Sequence, residues 1–585
     1  MPSVRDGLAK LGVRRLLLAI HDTSFPSDPD EDIGRGSPAT RTAARLFGYA
    51  RELGFTGIQL GPQGQTSRGN PSPYDGTIFS RNLGNLAVSS LRPGGPLAGL
   101  VDEATLDRHL VSGGAAQHAH AYDASHAILD AAYRALEGGA RPDLRARLDA
   151  YRAANGLGTE GPAGWLESDA LHAALSATYG GGHRTWPARD RDLWLADDPP
   201  RRAELLALHA RAIDRYAFGQ LLVAEEHARV RASCGLVLYG DLQVGYADAD
   251  AWRHAAAFLR GYLMGAPPSR TNPDGQPWGY PVLDPAQYAG AVRALVAARA
   301  DRAFSDYDSL RIDHPHGIIC AWVYRSDTGD PGRAVREGAR LFSSPDLPDH
   351  PALAAFAIAR PDQIDHARPR YHDRWVTDLD DDQVARYAVL LDAILDAAEQ
   401  HGRARGDLSC EVLSTMPTPL GRVLERHGLG RWRVTQKANL DDPADVYRTE
   451  TVARQDWLML GNHDTAPIFA VIDRWAPAKR EQWARHLAAR LRLAHPERLA
   501  SPRFFASAML AELFASRAEN VSIFFADLFG LEERFNVPGV VDEQNWTLRL
   551  PADFEALHGS QLAREHALDL PLAVELALAA QEHGT

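Results

Sequence analysis

The 585-residue chain holds only three cysteines, Cys234, Cys320 and Cys410, widely spaced and odd in number. A disulfide framework is therefore not expected. With no Cys-x-x-Cys pair, neither is a structural zinc site. Lysine is as scarce: Lys10, Lys437 and Lys479 are the only three, and arginine supplies the rest of the positive charge. No basic stripe stands out and the formal charge is -13, so nucleic acid is not an expected partner. No run approaches the ~18 apolar residues needed to span a bilayer, so no membrane partner is expected. The apolar run Leu16–Ile20 leads straight into His21-Asp22 with no small-residue cleavage site. It reads as a buried strand rather than a signal-peptide core, and the expected location is cytoplasmic.

Hydrophobic residues make up 45% and charged residues 24%, ordinary values that allow a large buried core. Eight short apolar or β-branched runs punctuate the chain: Arg15–Ile20, Thr56–Leu60, Leu236–Tyr239, Ser309–Ile312, Leu408–Cys410, Arg431–Gln436, Trp457–Leu460 and Asn520–Phe525. Helical patterns separate most of them, as at Ala203–Ala232, Ala385–His401 and Glu481–Leu493. Alternating strands and helices imply parallel βαβ units, and eight such units suggest a closed (β/α)8 TIM barrel of the α/β class. An open doubly wound sheet is the alternative.

Residues 1–585 are expected to form a single catalytic barrel domain. Two stretches are too long to be plain connections. Residues 85–205, between strands 2 and 3, read as a mainly helical insertion subdomain. Residues 320–405 form an insertion after strand 4. The acidic run Asp378–Asp382 reads as a solvated helix start, where Asp complements the helix dipole.

In a parallel barrel, chemistry sits at the C-terminal ends of the strands. Those ends carry Asp241, Asp313, Glu411 and Asp464. Any single acid there is more often a helix cap or turn residue; four together suggest a carboxylate site, as glycoside cleavage requires. Glu411 lies among Cys410, Val412 and Leu413, and desolvation there would keep it protonated as a general acid. Arg311 precedes Asp313 by two residues in strand phase, so both side chains share a face. A cation there would hold Asp313 ionised, as a nucleophile must be. Asn462 and His463 before Asp464 are suited to binding sugar hydroxyls.

His314-Pro315-His316 offers a rival reading: with His463 and Asp464 it suggests a metal site of a barrel hydrolase. Pro315 would end the strand between the two histidines, and no metal or other cofactor is the expectation. Tyr74, Trp278 and Trp546 lie in Gly/Pro/Asn-rich surroundings, where an aromatic face either stacks on sugar rings or packs in the core.

Several strings resemble the 4-α-glucanotransferases, family 77 of the glycoside hydrolases, in the right order over most of the chain. Leu60-Gly61-Pro62 with Ser72-Pro73-Tyr74 is similar to the family's LGP…SPY segment, and Gly240-Asp241-Leu242 to its GDLP strand end. Gly265-Ala266-Pro267-Pro268 through Gln276-Pro277-Trp278-Gly279 resembles its long GAPPD…GQ.WG loop. Arg311-Ile312-Asp313-His314 matches RIDH; Glu411 falls where AEDLG stands, and His463-Asp464 where GTHDN stands. Asp527-Leu528-Phe529-Gly530, Arg534–Gly539 and Asn545-Trp546 resemble the DLLG…R.N.PG…NW segment.

The resemblance implies an (α/β)-barrel without a C-terminal β-sandwich, acting on α-1,4-glucans and maltooligosaccharides. It implies Asp313 as nucleophile, Glu411 as acid/base and Asp464 as transition-state stabiliser. Tyr74, Asp241, Gln276, Trp278, Arg311 and His463 are implied as substrate-binding, with the Pro267–Trp278 loop on the acceptor side. Four positions depart from the pattern: Pro315-His316 replaces Phe-Arg, Val412 replaces Asp, Thr465 replaces Asn and Ser269 replaces Asp. The expected activity is retaining 4-α-glucanotransfer; the alternatives are a glucan-binding protein with impaired catalysis, or an α-glucan hydrolase.

Overall fold

All eight runs form strands in the computed structural model, which describes residues 3–582 apart from 112, 159–163, 271 and 540–541. Twelve strands follow one another along the described chain. The first six are β1 (Arg15–Ala19), β2 (Gly57–Gln59), β3 (Val237–Leu242), β4 (Phe258–Ala266), β5 (Gln276–Leu283) and β6 (Ser309–Ile312). The others are β7 (Trp322–Arg325), β8 (Ala339–Arg340), β9 (Ser409–Cys410), β10 (Trp432–Val434), β11 (Trp457–Met459) and β12 (Asn520–Phe524).

The eight expected strands make one sheet in the order β10-β11-β12-β1-β2-β3-β6-β9. Every ladder in it is parallel. With the intervening helices this is a (β/α)8 TIM barrel. At the seam between β9 and β10, side chains bridge where no ladder joins the described residues. Trp432 Nε1 donates to Ser409 Oγ at 2.6 Å, and Trp457 Nε1 to the Leu408 carbonyl at 3.3 Å.

A parallel strand is covered on both faces, which is why these runs are apolar rather than alternating. Leu16, Leu17 and Leu18 of β1 are all buried. Between Phe504 and Phe514 the helix Pro502–Phe514 is buried on every side. The acidic run starts helix Asp381–Gln400 as expected: Asp380 accepts from the Gln383 amide at 2.9 Å, and Gln383 Oε1 accepts from the Asp380 amide at 3.1 Å. Such a capping box satisfies two orphan donors. The long helix expected over Ala203–Ala232 divides at His209 into Pro199–Leu208 and Ala210–Ser233.

Between β2 and β3 the described residues form mainly helices, from Glu103–Asp107 to Ala210–Ser233. These helices gather a second apolar cluster that includes Leu129, Leu171, Trp186, Phe218 and Trp252.

A second sheet was not expected from the sequence. It is antiparallel, in the order β5-β4-β7-β8. The insertion after β6 therefore supplies two strands, β7 and β8, besides its helices. The β5 sequence carries Pro277, Gly279 and Pro281, which read as loop residues. Proline is tolerated in a sheet on an edge strand, and β5 is an edge.

Candidate active site

Because the barrel strands run parallel, their polar C-terminal residues emerge on one rim. Arg311, on β6, is the hub there and is fully buried. Its Nη1 donates to Asp241 Oδ2, and to the Tyr74 hydroxyl at 3.1 Å. Its Nη2 donates to both Asp313 Oδ1 at 2.9 Å and Glu411 Oε2 at 2.5 Å. The guanidinium also lies over the Trp432 ring, 4.9 Å from its centroid.

Three carboxyl groups thus surround one cation, and a single positive charge cannot hold three ionised carboxylates in a dry site. Burial pushes Glu411 well above the usual carboxylate range; Arg311 opposes this, while the Asp313 charge adds to it. For Asp313, burial also acts upward. The Arg311 charge, a hydrogen bond from Glu411 and the Val244 amide outweigh it and hold Asp313 below its ordinary value. The Val244 N–H donates to Asp313 Oδ2 at 3.1 Å. Of the two, Glu411 therefore has the higher proton affinity. Asp241 is raised to about 7 by burial despite its contact with Arg311.

Asp464 stands in the loop that follows β11. Asn536 Nδ2 donates to its Oδ1 at 2.6 Å, and Arg534 Nη2 to its carbonyl at 3.0 Å. Burial raises its pKa, offset by Asn536 and by the positive charges of Lys437 and Arg311. His463 Nε2 is 3.2 Å from the Tyr74 hydroxyl, and the two rings stack with centroids 5.4 Å apart. Burial and the Arg311 charge take His463 down to about 3, so it is a neutral imidazole.

The structure gathers Tyr74, Asp241, Asp313 and Glu411 directly about Arg311, and His463 joins them through Tyr74. Gln276 and Trp278 sit further out on β5, where Trp278 Nε1 donates to Gln276 Oε1 at 2.9 Å. Trp278 meets the site through His314, whose ring it contacts edge-on at 4.8 Å. Trp546 joins the rim too, its ring 5.6 Å from Tyr74 and 6.1 Å from His463.

Sequence reading missed His21, Lys437 and Asn536. His21 stands two residues beyond β1, its Nε2 3.4 Å from the Tyr74 hydroxyl. A Cβ at Gly61 would stand 2.2 Å from the His21 ring, so the glycine of the Leu-Gly-Pro string makes room for it. The available signals were the strand end before His21 and the rarity of lysine.

The family model for 4-alpha-glucanotransferase matches residues 20–554. The chain belongs to that family. The chloroplastic/amyloplastic 4-alpha-glucanotransferase of rice is 27% identical over 351 residues, covering 56% of this chain and 54% of the rice protein. The potato protein is 26% identical, covering 54% of each. The matched stretch thus spans about half the length of these curated relatives. Among solved structures, the Streptococcus agalactiae amylomaltase in complex with acarbose superposes with a TM-score of 0.73 at 16% identity, covering 97% of this chain and 99% of that one. The Corynebacterium glutamicum amylomaltase gives 0.64 at 16% identity, covering 99% and 76%. At such identities the likeness concerns the fold.

Within this 4-alpha-glucanotransferase family chain, each departure has a structural place. Val412 is fully buried. Thr465 braces its loop, its hydroxyl donating to the Asn462 carbonyl at 3.0 Å and accepting from the Asn462 amide at 2.9 Å. Ser269 Oγ accepts from the Asn272 amide at 3.1 Å. Pro315 opens the short helix His316–Ile319. The His314 and His316 rings stack face to face at 4.2 Å, and His316 Nε2 is engaged by the Thr415 carbonyl at 3.0 Å. Among the described residues no group of three or more His, Cys, Asp or Glu is arranged to hold a metal. No described helix is long and apolar enough to cross a membrane.

Proposed function

We propose that this protein transfers α-1,4-glucan segments between maltooligosaccharides by a retaining double displacement. The observation that carries the reading is the shared Arg311 nitrogen. Asp313 and Glu411 oxygens lie 2.9 and 2.5 Å from it. They can be no farther apart than those two bonds laid end to end. A retaining pair is ~5–5.5 Å apart, whereas an inverting pair leaves roughly 6.5–9.5 Å for a water.

In this reading Asp313, held ionised, attacks the anomeric carbon of the donor. The bond from that carbon to the glycosidic oxygen breaks, and the Glu411 proton passes to the departing oxygen. A β-glucosyl ester on Asp313 results. Glu411, now ionised, takes the proton from the 4-hydroxyl of an incoming glucan. That oxygen displaces Asp313 and restores an α-1,4 bond. Asp464 faces the ring on which oxocarbenium charge develops, where a carboxylate stabilises it. Tyr74, Asp241, Arg311 and His463 hold the cleaved sugar, and Gln276 and Trp278 line the acceptor side. A cytoplasmic site of action belongs to the same reading; the three unpaired, buried thiols fit a reducing compartment.

Maltotriose provides the test. The expected products are glucose and a ladder of longer and shorter maltooligosaccharides. Glucose and maltose alone would make the protein a hydrolase, and binding without turnover would make it a glucan-binding protein.

A further inference from the structure

A carboxylate that attacks carbon has to be aimed as well as ionised. Asp313 is fastened from the neighbouring strand, by the end of β3 and the residues after it. The Asp313 amide donates to the Leu242 carbonyl at 3.1 Å. The Val244 amide donates to Asp313 Oδ2 at 3.1 Å. Backbone and side chain of Asp313 are thus both held by residues 242–244. The peptide group between Gln243 and Val244 is in turn gripped from its other end. Arg299, on the helix Ala291–Asp306, donates from Nη2 to the Gln243 carbonyl at 2.5 Å. A planar trans peptide points its C=O and its N–H in opposite directions. One rigid unit therefore joins the Arg299 cation on one side to the Asp313 carboxylate on the other.

Arg299 is buried, its guanidinium 5.4 Å from the centre of the Tyr246 ring. Beside the peptide is a cavity of about 30 Å³, lined by Gln243, Val244, Met264, Arg299, Asp313 and Ile318 among others. Packing alone therefore leaves the peptide room to turn. The charged donor on its carbonyl does two things. It polarises the peptide and makes the N–H a better donor, since hydrogen bonds in a chain strengthen one another. It also disfavours the flipped peptide, which would strand the buried guanidinium without that acceptor.

Resting on the transferase reading, with Asp313 as nucleophile, we infer that Arg299 is a positioning residue that keeps the Asp313 carboxylate in its attacking orientation through the Gln243–Val244 peptide. Arg311 holds one oxygen of Asp313 directly. Arg299, one peptide away, holds the other.

The test compares wild type, Arg299→Lys, Arg299→Gln and Arg299→Met on maltotriose. In Arg299→Gln kcat should fall about tenfold, on the scale of a slightly misaimed reacting group, with KM within about twofold. Arg299→Lys keeps a charged donor and should retain most of kcat. Arg299→Met should lose at least as much as Arg299→Gln; if it does not fold, the Lys and Gln variants decide. The acid limb of kcat/KM should move up by about half a pH unit in Arg299→Gln, since a weaker Val244 donor leaves Asp313 easier to protonate. The charges that face Asp313 stay in place in these variants: Arg311 on β6, Glu411 after β9, Asp241 on β3 and Asp464 after β11. So do the neutral imidazoles of His314 and His463 and the phenols of Tyr74 and Tyr280. A wild-type kcat and acid limb in Arg299→Gln, with only the melting temperature lowered, would make Arg299 structural and overturn the inference. Equal losses in Arg299→Lys and Arg299→Gln would overturn it too. Hydrogen exchange at the Val244 amide reads the peptide without turnover and should quicken about threefold or more in Arg299→Gln. Unchanged exchange overturns the inference whatever the activity, whereas a wild type that does not turn over maltotriose counts against the transferase reading.

Discussion

Asp313 and Glu411 are bonded to the same nitrogen of Arg311, yet their proton affinities move in opposite directions. The difference comes from their other neighbours. Asp313 also accepts from the Val244 amide. Glu411 follows β9 directly, next to the buried Cys410 and Val412, and has the higher proton affinity.

If these are the nucleophile and the acid/base, Asp313→Asn should lower turnover of maltotriose by roughly 10⁴-fold or more, with circular dichroism and melting temperature little changed. Glu411→Gln should retain activity on a donor with an already acidic leaving group, such as a glucosyl fluoride, and lose it on maltotriose. Equal losses on both donors would argue against Glu411 as the acid.

Activity should follow a bell in pH. Asp313 must be ionised, so activity falls on the acid side only as pH drops through a value below the ordinary carboxylate range. Glu411 must be protonated, so activity falls on the alkaline side as pH rises through a value well above that range. The pair titrates together, and the two limbs belong to it jointly. A profile of kcat/KM from pH 3 to 10 measures both; an alkaline limb that persists unchanged in Glu411→Gln would assign it elsewhere.

Arg311→Met should destabilise the fold by about 3–5 kcal/mol, because it strands buried carboxylates around an empty centre. The loss should be smaller at pH 5 than at pH 8, since Asp241, raised to about 7, is protonated at the lower pH. Urea unfolding at the two pH values tests this. A pH-independent loss would mean that packing against Trp432 dominates.

Ser409→Ala should cost about 1–3 kcal/mol, the penalty of leaving the buried Trp432 N–H unpaired at the β9–β10 seam. Trp432→Phe in the same background should recover part of it, by removing the orphaned donor. Chemical denaturation of the single and double variants gives the coupling.

A chelator should leave activity untouched. The His314 and His316 rings stack on each other, and one His316 nitrogen is engaged by the Thr415 carbonyl. Loss of turnover after dialysis against EDTA, restored by a divalent cation, would revive the metal-dependent alternative.

Much of this was legible in the chain. Each barrel strand announced itself as a short apolar run, because a parallel strand is covered on both faces and needs no alternation. Asp241, Asp313, Glu411 and Asp464 were visible as acids at strand ends, and a parallel barrel collects those ends on one rim. The second sheet was not legible: β5 is an edge strand containing Pro277 and Pro281, and its local composition is that of a loop. His21, Lys437 and Asn536 went unread because they lie on separate segments and reach Tyr74 or Asp464 only in the folded chain.

By itself, the sequence determined which acids stand at the strand ends and which end of a parallel barrel gathers them, since strand periodicity and strand ends are local properties. Only the tertiary structure decided how these residues act on one another. Arg311 reaches Asp313 two residues away and Glu411 a hundred residues away with one nitrogen. Burial, a property of the whole fold, then selects which of the two keeps the proton. Proton affinity depends on desolvation and on charges a few ångströms away in space, and neither distance is written along the chain.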